Sequence, residues 1–230
     1  MSGQKQNYLR RLTSQFRVKN FWRKLALVTA AIFMMGFSLS FLIIAAWGTD
    51  PCSFMNLNIA NKIGWTLGNW QLTLNAAMLL FTLVFAPELI GAGTVLNMVM
   101  IGYIADFFCW LWSRLALSPI VVAPGFFYLR VIVFALAIIF FVIAAAVYMN
   151  CEMGLSPYDA AIKIISGWAS RIPYFAIRIA YDLLAVGIGL AAALSSPSGV
   201  QGSLIGSVIM SFAIGPAITA VGRFMKAHGW

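Results

Sequence analysis

Six continuous apolar runs dominate this sequence, each about long enough to cross a bilayer. They fall at about Leu25–Trp47, Trp70–Ala86, Gly93–Trp112, Leu129–Met149, Tyr174–Leu194 and Leu204–Val221. A helix rises about 1.5 Å per residue, so roughly 20 residues cover a hydrocarbon core of about 30 Å. Inside lipid every backbone N–H and C=O needs an internal partner, which leaves helix bundles and closed barrels. The runs are unbroken rather than alternating in polarity, so they predict helices. The expected fold class is all-α, a polytopic membrane bundle of about six transmembrane helices.

Composition agrees. Of 230 residues 62% are hydrophobic and 9% charged, against roughly 25% charged in a soluble domain. The net charge of +9 is no nucleic-acid footprint. Seven of the fifteen basic residues precede the first run: Lys5, Arg10, Arg11, Arg17, Lys19, Arg23 and Lys24. A basic flank marks the cytoplasmic end of a membrane helix; the same arm offers charge to anionic lipids. With the N-terminus inside and Arg178 left aside as intramembrane, eleven basic residues fall in inside segments and three, Lys62, Arg114 and Arg130, outside. Both termini are therefore expected in the cytoplasm. The first run is too long for a signal-peptide core and is read as a retained helix.

The halves repeat. Gly48-Thr49-Asp50-Pro51 returns as Gly154-Leu155-Ser156-Pro157, and Gly93-Thr94-Val95-Leu96 with Ile101-Gly102 returns as Gly206-Ser207-Val208-Ile209 with Ile214-Gly215. The order of motifs and runs is the same in both copies. This divides the chain into a basic arm (1–24), a three-helix repeat (25–113), a linker (114–128) containing Pro119, Pro124 and Gly125, a second repeat (129–224) and a tail (225–230). Three spans is an odd number, so a second copy enters from the opposite face. The expectation is a pair of inverted repeats, the architecture of many secondary transporters.

These motifs resemble the YitT/YczE-like family of bacterial membrane proteins. The likeness rests on Gly154-Leu155-Ser156-Pro157-Tyr158-Asp159, on the run Gly91 to Asn97 continuing to Ile101-Gly102, and on Gly206-Ser207-Val208 with Ile214-Gly215-Pro216. It covers most of the chain after the arm. Tyr103 stands where the family pattern has proline, and Asp50 where the other half has serine. The resemblance implies a bacterial inner-membrane protein and no particular substrate.

The polar residues inside the runs are the candidate site. Asp182 lies about 12 Å into its helix at 1.5 Å per residue, near mid-membrane, where an ionised carboxylate needs a partner or water. Arg178, one turn earlier, is the nearest partner. Gln71 and Asn75 stand 107 residues before Arg178 and Asp182, so equivalent helices carry polar residues at the same spacing. They read either as a polar pathway or as a structural ion pair fixing helix packing. Each Gly-x-x-Pro, with Gly48 and Pro51 or Gly154 and Pro157, reads as a helix start. Asp50 and Ser156 are the N-caps, proline takes the first position, and Asp159 can reach back in a capping-box manner. These short helices either dip into the bilayer, offering positive N-terminal ends, or lie flat at the interface, where Asp159 and Lys163 form a solvated i,i+4 pair. Asp106 lacks a symmetric match and reads as a cap or interfacial charge. Thr94, Asn97, Ser207 and Ser211 read as packing residues. Trp22, Trp47, Trp70, Trp110 and Trp112 read as interfacial anchors.

Enzyme signals are missing. Cys52, Cys109 and Cys151 lack metal or redox spacing, and His228 is the lone histidine. No metal and no cofactor is expected. The expected function is a small secondary transporter or channel for a small polar solute, with an anion mildly favoured. The alternative is a non-transporting scaffold or accessory subunit. Expected partners are the bilayer, anionic lipid near the arm and the solute; a homo-oligomer stays open and nucleic acid is excluded.

Overall fold

The computed structural model describes residues 8, 10, 11 and 19–228; Lys5, Arg17 and the last two residues of the tail lie outside them. In chain order the helices are α1 (Phe21–Ala45), α2 (Pro51–Ile63), α3 (Leu67–Phe85), α4 (Ala92–Arg114), α5 (Leu117–Val122), α6 (Phe127–Asn150), α7 (Pro157–Trp168), α8 (Tyr174–Leu194) and α9 (Leu204–Ala227). Six of them, α1, α3, α4, α6, α8 and α9, are long and apolar enough to cross a membrane. Their bounds follow the six runs closely, and α8 coincides with its run. Two ends differ. The first helix begins at Phe21, inside the basic arm, and the last continues to Ala227, inside the tail. The linker is partly helical, holding α5 and a 3-10 turn at Pro124–Phe126.

Local sequence sets the short helices. The chain leaves α1 through Ala46 and Gly48 and leaves α6 through Glu152 and Gly154, with positive φ at all four (53°, 124°, 55° and 97°). This reverses the chain within a few residues. A proline then starts each short helix, since its missing N–H is not needed at the first position. Asp50 Oδ1 accepts from Ser53 N at 3.0 Å, and Ser156 Oγ accepts from Asp159 N at 3.0 Å.

The centre of the bundle is α1, whose Val28, Ile32, Leu39 and Leu42 are fully buried. It packs on α4 and α6, and α6 packs on α9. The short helices cross over: α2 lies mainly on α8, and α7 mainly on α3. Buried α2 residues such as Phe54, Met55, Asn56 and Asn58 place it within the bundle, not flat on its outside. Large apolar side chains such as Leu80, Val84, Leu184, Ile205 and Ile209 face outward. A continuous apolar exterior of this kind is stable only against lipid tails.

Two crossings of bare backbone join the halves. At Gly48, an added Cβ would sit 2.7 Å from the backbone of Gly206, and Thr49 N donates to Ser207 Oγ at 3.1 Å. At the equivalent place Gly154 meets Gly91. There Gly93 N donates to Met153 O at 2.7 Å and Leu155 N to Leu89 O at 2.9 Å. A methyl at Gly206 would run into the Trp47 carbonyl. Gly206→Ala is therefore expected to cost about 1–3 kcal/mol, the usual range for overpacking. Gly187, with open space around it, should tolerate alanine or gain from better helix propensity. Thermal unfolding of both variants in detergent checks this contrast.

Candidate functional site

The seven polar residues singled out from the sequence all line one cavity of about 90 Å³ at the centre of the bundle. Asp50 comes from the start of α2, and Ser156 and Asp159 from the start of α7. Gln71 and Asn75 come from α3, Arg178 and Asp182 from α8. Both short helices thus bring their N-terminal ends to polar residues in the first half of the long helices α3 and α8.

Arg178 organises the charge. Its Nη1 donates to Asp159 Oδ1 at 2.6 Å and its Nε to Asp182 Oδ2 at 3.1 Å. The remaining oxygens are also held. Tyr158 Oη donates to Asp182 Oδ1 at 2.8 Å, and Ser156 Oγ donates to Asp159 Oδ2 at 2.6 Å. One guanidinium therefore ties the α7 N-terminus to the middle of α8. A planar fork suits this bridging role better than a lysine ammonium would. The Arg178–Asp182 pairing is the sequence expectation. The Asp159–Lys163 pairing is not what forms: Lys163 faces outward, and Asp159 turns inward to Arg178. The Asp159 carboxylate also takes the Ser156 hydroxyl in place of a capping-box return to the backbone.

The α3 side of the cavity is neutral. Gln71 and Asn75 are buried, at 6% and 4% exposure. Asn97, read from the sequence as a packing residue, lines the cavity too. Tyr158 and Tyr148 went unread as functional residues, although Tyr158 lies within the quoted Gly154–Asp159 motif. Tyr148, on a long apolar run, carries no local signal. Tyr158 also sets an edge-on ring contact with Tyr181 at 4.9 Å between centroids.

Asp106 is outside this cavity. It accepts from Leu67 N at 3.2 Å and Gly68 N at 2.7 Å. It thus caps α3 from α4, meeting donors that the helix cannot satisfy itself. Two tryptophans read as interfacial anchors turn out to be hydrogen-bonded inside the protein: Trp70 Nε1 donates to Asn56 Oδ1 at 3.1 Å, and Trp112 Nε1 to Ser40 Oγ at 2.9 Å. Trp22 and Trp110 are exposed. Among the described residues no three His, Cys, Asp or Glu side chains gather closely enough to hold a metal.

Apolar helices of spanning length around a buried polar centre define a multi-pass membrane protein. The chain belongs to a family described as a family of unknown function (DUF6198), whose model matches residues 22–223. It is also similar to the uncharacterized membrane protein YczE of Bacillus subtilis (strain 168), at 27% identity over 143 residues. That match covers 60% of this chain and 62% of the relative, so just under two thirds of the relative's length is spanned. No solved structure matches.

Proposed function

We propose that this protein is a small secondary transporter or channel of the bacterial inner membrane, with the central cavity as its solute site. The observation that carries the reading is the cavity itself, which gathers charged and amide side chains mid-bundle where two helix N-termini meet two long helices. Discontinuous helices ending at mid-membrane are how many transporters hold solutes and ions. Buried intramembrane charge is costly, and it marks a pathway more readily than a packing device.

The halves are read as inverted repeats that rock about the cavity. The paired positive-φ exits, the paired glycine crossings and the reciprocal packing of α2 on α8 and α7 on α3 support this. Both termini are assigned to the cytoplasm. Beyond the excess of inside basic residues, Arg11 pairs with Glu88 at 2.8 Å and Tyr8 Oη donates to Leu83 O at 2.9 Å. These contacts hold the arm beside the α3–α4 turn, which the same topology places inside. They also give the arm a protein partner in addition to anionic lipid.

The experiment is uptake by proteoliposomes across a panel of small anions, cations and neutral polar solutes. Saturable uptake of one class, reduced at least about tenfold by Asp182→Asn through loss of the Arg178 and Tyr158 contacts, is expected. Folded protein that moves no solute above empty vesicles would overturn the reading and leave the scaffold alternative standing.

A further inference from the structure

Three carboxylates, Asp50, Asp159 and Asp182, line the cavity with a single guanidinium, Arg178. Arg178 occupies two of them. Asp50 stands apart: its Oδ1 accepts from Ser53 N, while its Oδ2 is buried with no hydrogen-bond partner among the described residues. Two further buried oxygens on this cavity share that condition. They are the Tyr148 hydroxyl, on a side chain only 2% exposed, and Gln71 Oε1, on one 6% exposed. A buried polar atom left unmatched is costly, and several on one cavity point to a ligand that supplies what they lack. Asp50 Oδ2 and Gln71 Oε1 can only accept, so what they lack is hydrogen-bond donors and, at Asp50, positive charge, while the Tyr148 hydroxyl is free to accept beside them.

We propose that the cavity binds a small organic cation bearing N–H groups, an ammonium or guanidinium, with Asp50 as its counter-charge and Gln71 and Tyr148 as hydrogen-bond acceptors. This deepens the transporter reading and rests on it for the cavity's role as a solute site. The aromatic lining agrees. Tyr148, Tyr158 and Phe141 all border the cavity, and ring faces attract cations that have shed their water. A chelated metal fits less well, since no three ligating side chains cluster there among the described residues. Size sets a limit as well. A water needs about 10–15 Å³ by this measure, so a cavity of about 90 Å³ admits a solute of roughly half a dozen heavy atoms. The same charge count outweighs the anionic preference drawn from the positive balance and the helix N-termini: seven of the basic residues lie in the arm, while three carboxylates face one guanidinium in the cavity.

The test is calorimetric titration of the full chain in nanodiscs with methylammonium and guanidinium chlorides, against sodium chloride and sodium acetate. Saturable binding of an organic cation is expected, with none for sodium or acetate. Asp50→Asn keeps the α2 cap, because asparagine caps as well as aspartate, so it removes charge without removing the helix start. It should weaken binding at least about tenfold, as loss of a charge-assisted contact does. Tyr148→Phe, which deletes one oxygen, should weaken it less. Equal affinity in Asp50→Asn, absence of organic-cation binding by a folded sample, or preference for acetate would each overturn the assignment. The two proposals fail separately. Cation binding without uptake would remove the transporter reading alone; uptake of an anion or neutral solute that Asp50→Asn leaves intact would remove the cation assignment alone.

Discussion

Replacing Arg178 by alanine is expected to destabilise the protein by about 3–5 kcal/mol, the usual cost of removing one partner from a buried ionic cluster. The magnitude follows from what is left behind. Asp159 and Asp182, with side chains 18% and 5% exposed, would lose their shared guanidinium. Tyr158 and Ser156 could still donate, but neither carries charge. Two carboxylates bordering one cavity would then repel. Because the loss comes from uncompensated charge, it should be repaired by removing the charge. The triple variant Arg178→Met, Asp159→Asn, Asp182→Asn should recover most of the stability while losing any solute uptake. Reversible unfolding in mixed detergent micelles measures both steps. Equal instability of the single and triple variants would mean that Arg178 acts through packing of its stem instead of through its charge.

The parts of this fold that could be read from the sequence are those set by local chemistry. A long apolar run has one stable solution in lipid, which is why α8 begins and ends where its run does. Helix starts were equally legible, because Ser156 and Pro157, or Asp50 and Pro51, do their work within one turn. Four of the seven candidate residues, Gln71, Asn75, Arg178 and Asp182, stand out for a related reason, because polar side chains in apolar helices are expensive. Asp50, Ser156 and Asp159 stand out because they open the two Gly-x-x-Pro helices. What could not be read was the partner of each. Asp159 has a lysine four residues on, and sequence distance favours that pair. The bundle instead presents Arg178, nineteen residues away, at 2.6 Å. Burial decides between them, since Lys163 points out of the bundle and gains nothing by turning back. Tyr148 illustrates the other limit. Its neighbours in α6 are apolar apart from Asn150, so only the packing of α6 on α1 and α9 reveals that Tyr148 borders the site. The same applies to Trp70 and Trp112: their positions at run ends suit interfacial anchors, and only tertiary contacts reveal the indole partners Asn56 and Ser40.

Opposed labelling of the two short-helix exits is the second large effect expected. Asp50 and Ser156, though they begin the two repeated motifs, are poor reporters of topology because both border the same cavity. Their reactivity would follow the state of the cavity, not the side of the membrane. The far ends of the short helices serve better. Lys62 lies in the last turn of α2 and Arg171 just beyond α7, and both are exposed. In a background with Cys52, Cys109 and Cys151 replaced by alanine, single cysteines at 62 and 171 should label from opposite faces. An impermeant maleimide added to intact cells should modify position 62 fully and position 171 hardly at all, and inside-out vesicles should reverse the pattern. The reason is arithmetic. Each half has three spans, so if α1 runs outward α6 must run inward, and the helices that follow each must return to different faces. Alternating access by exchange of conformation between inverted halves needs that opposition, because a movement that closes one half's entrance must open the other's. Labelling of both positions from one face would make the halves parallel, and alternating access by this route would then be impossible whatever the cavity binds.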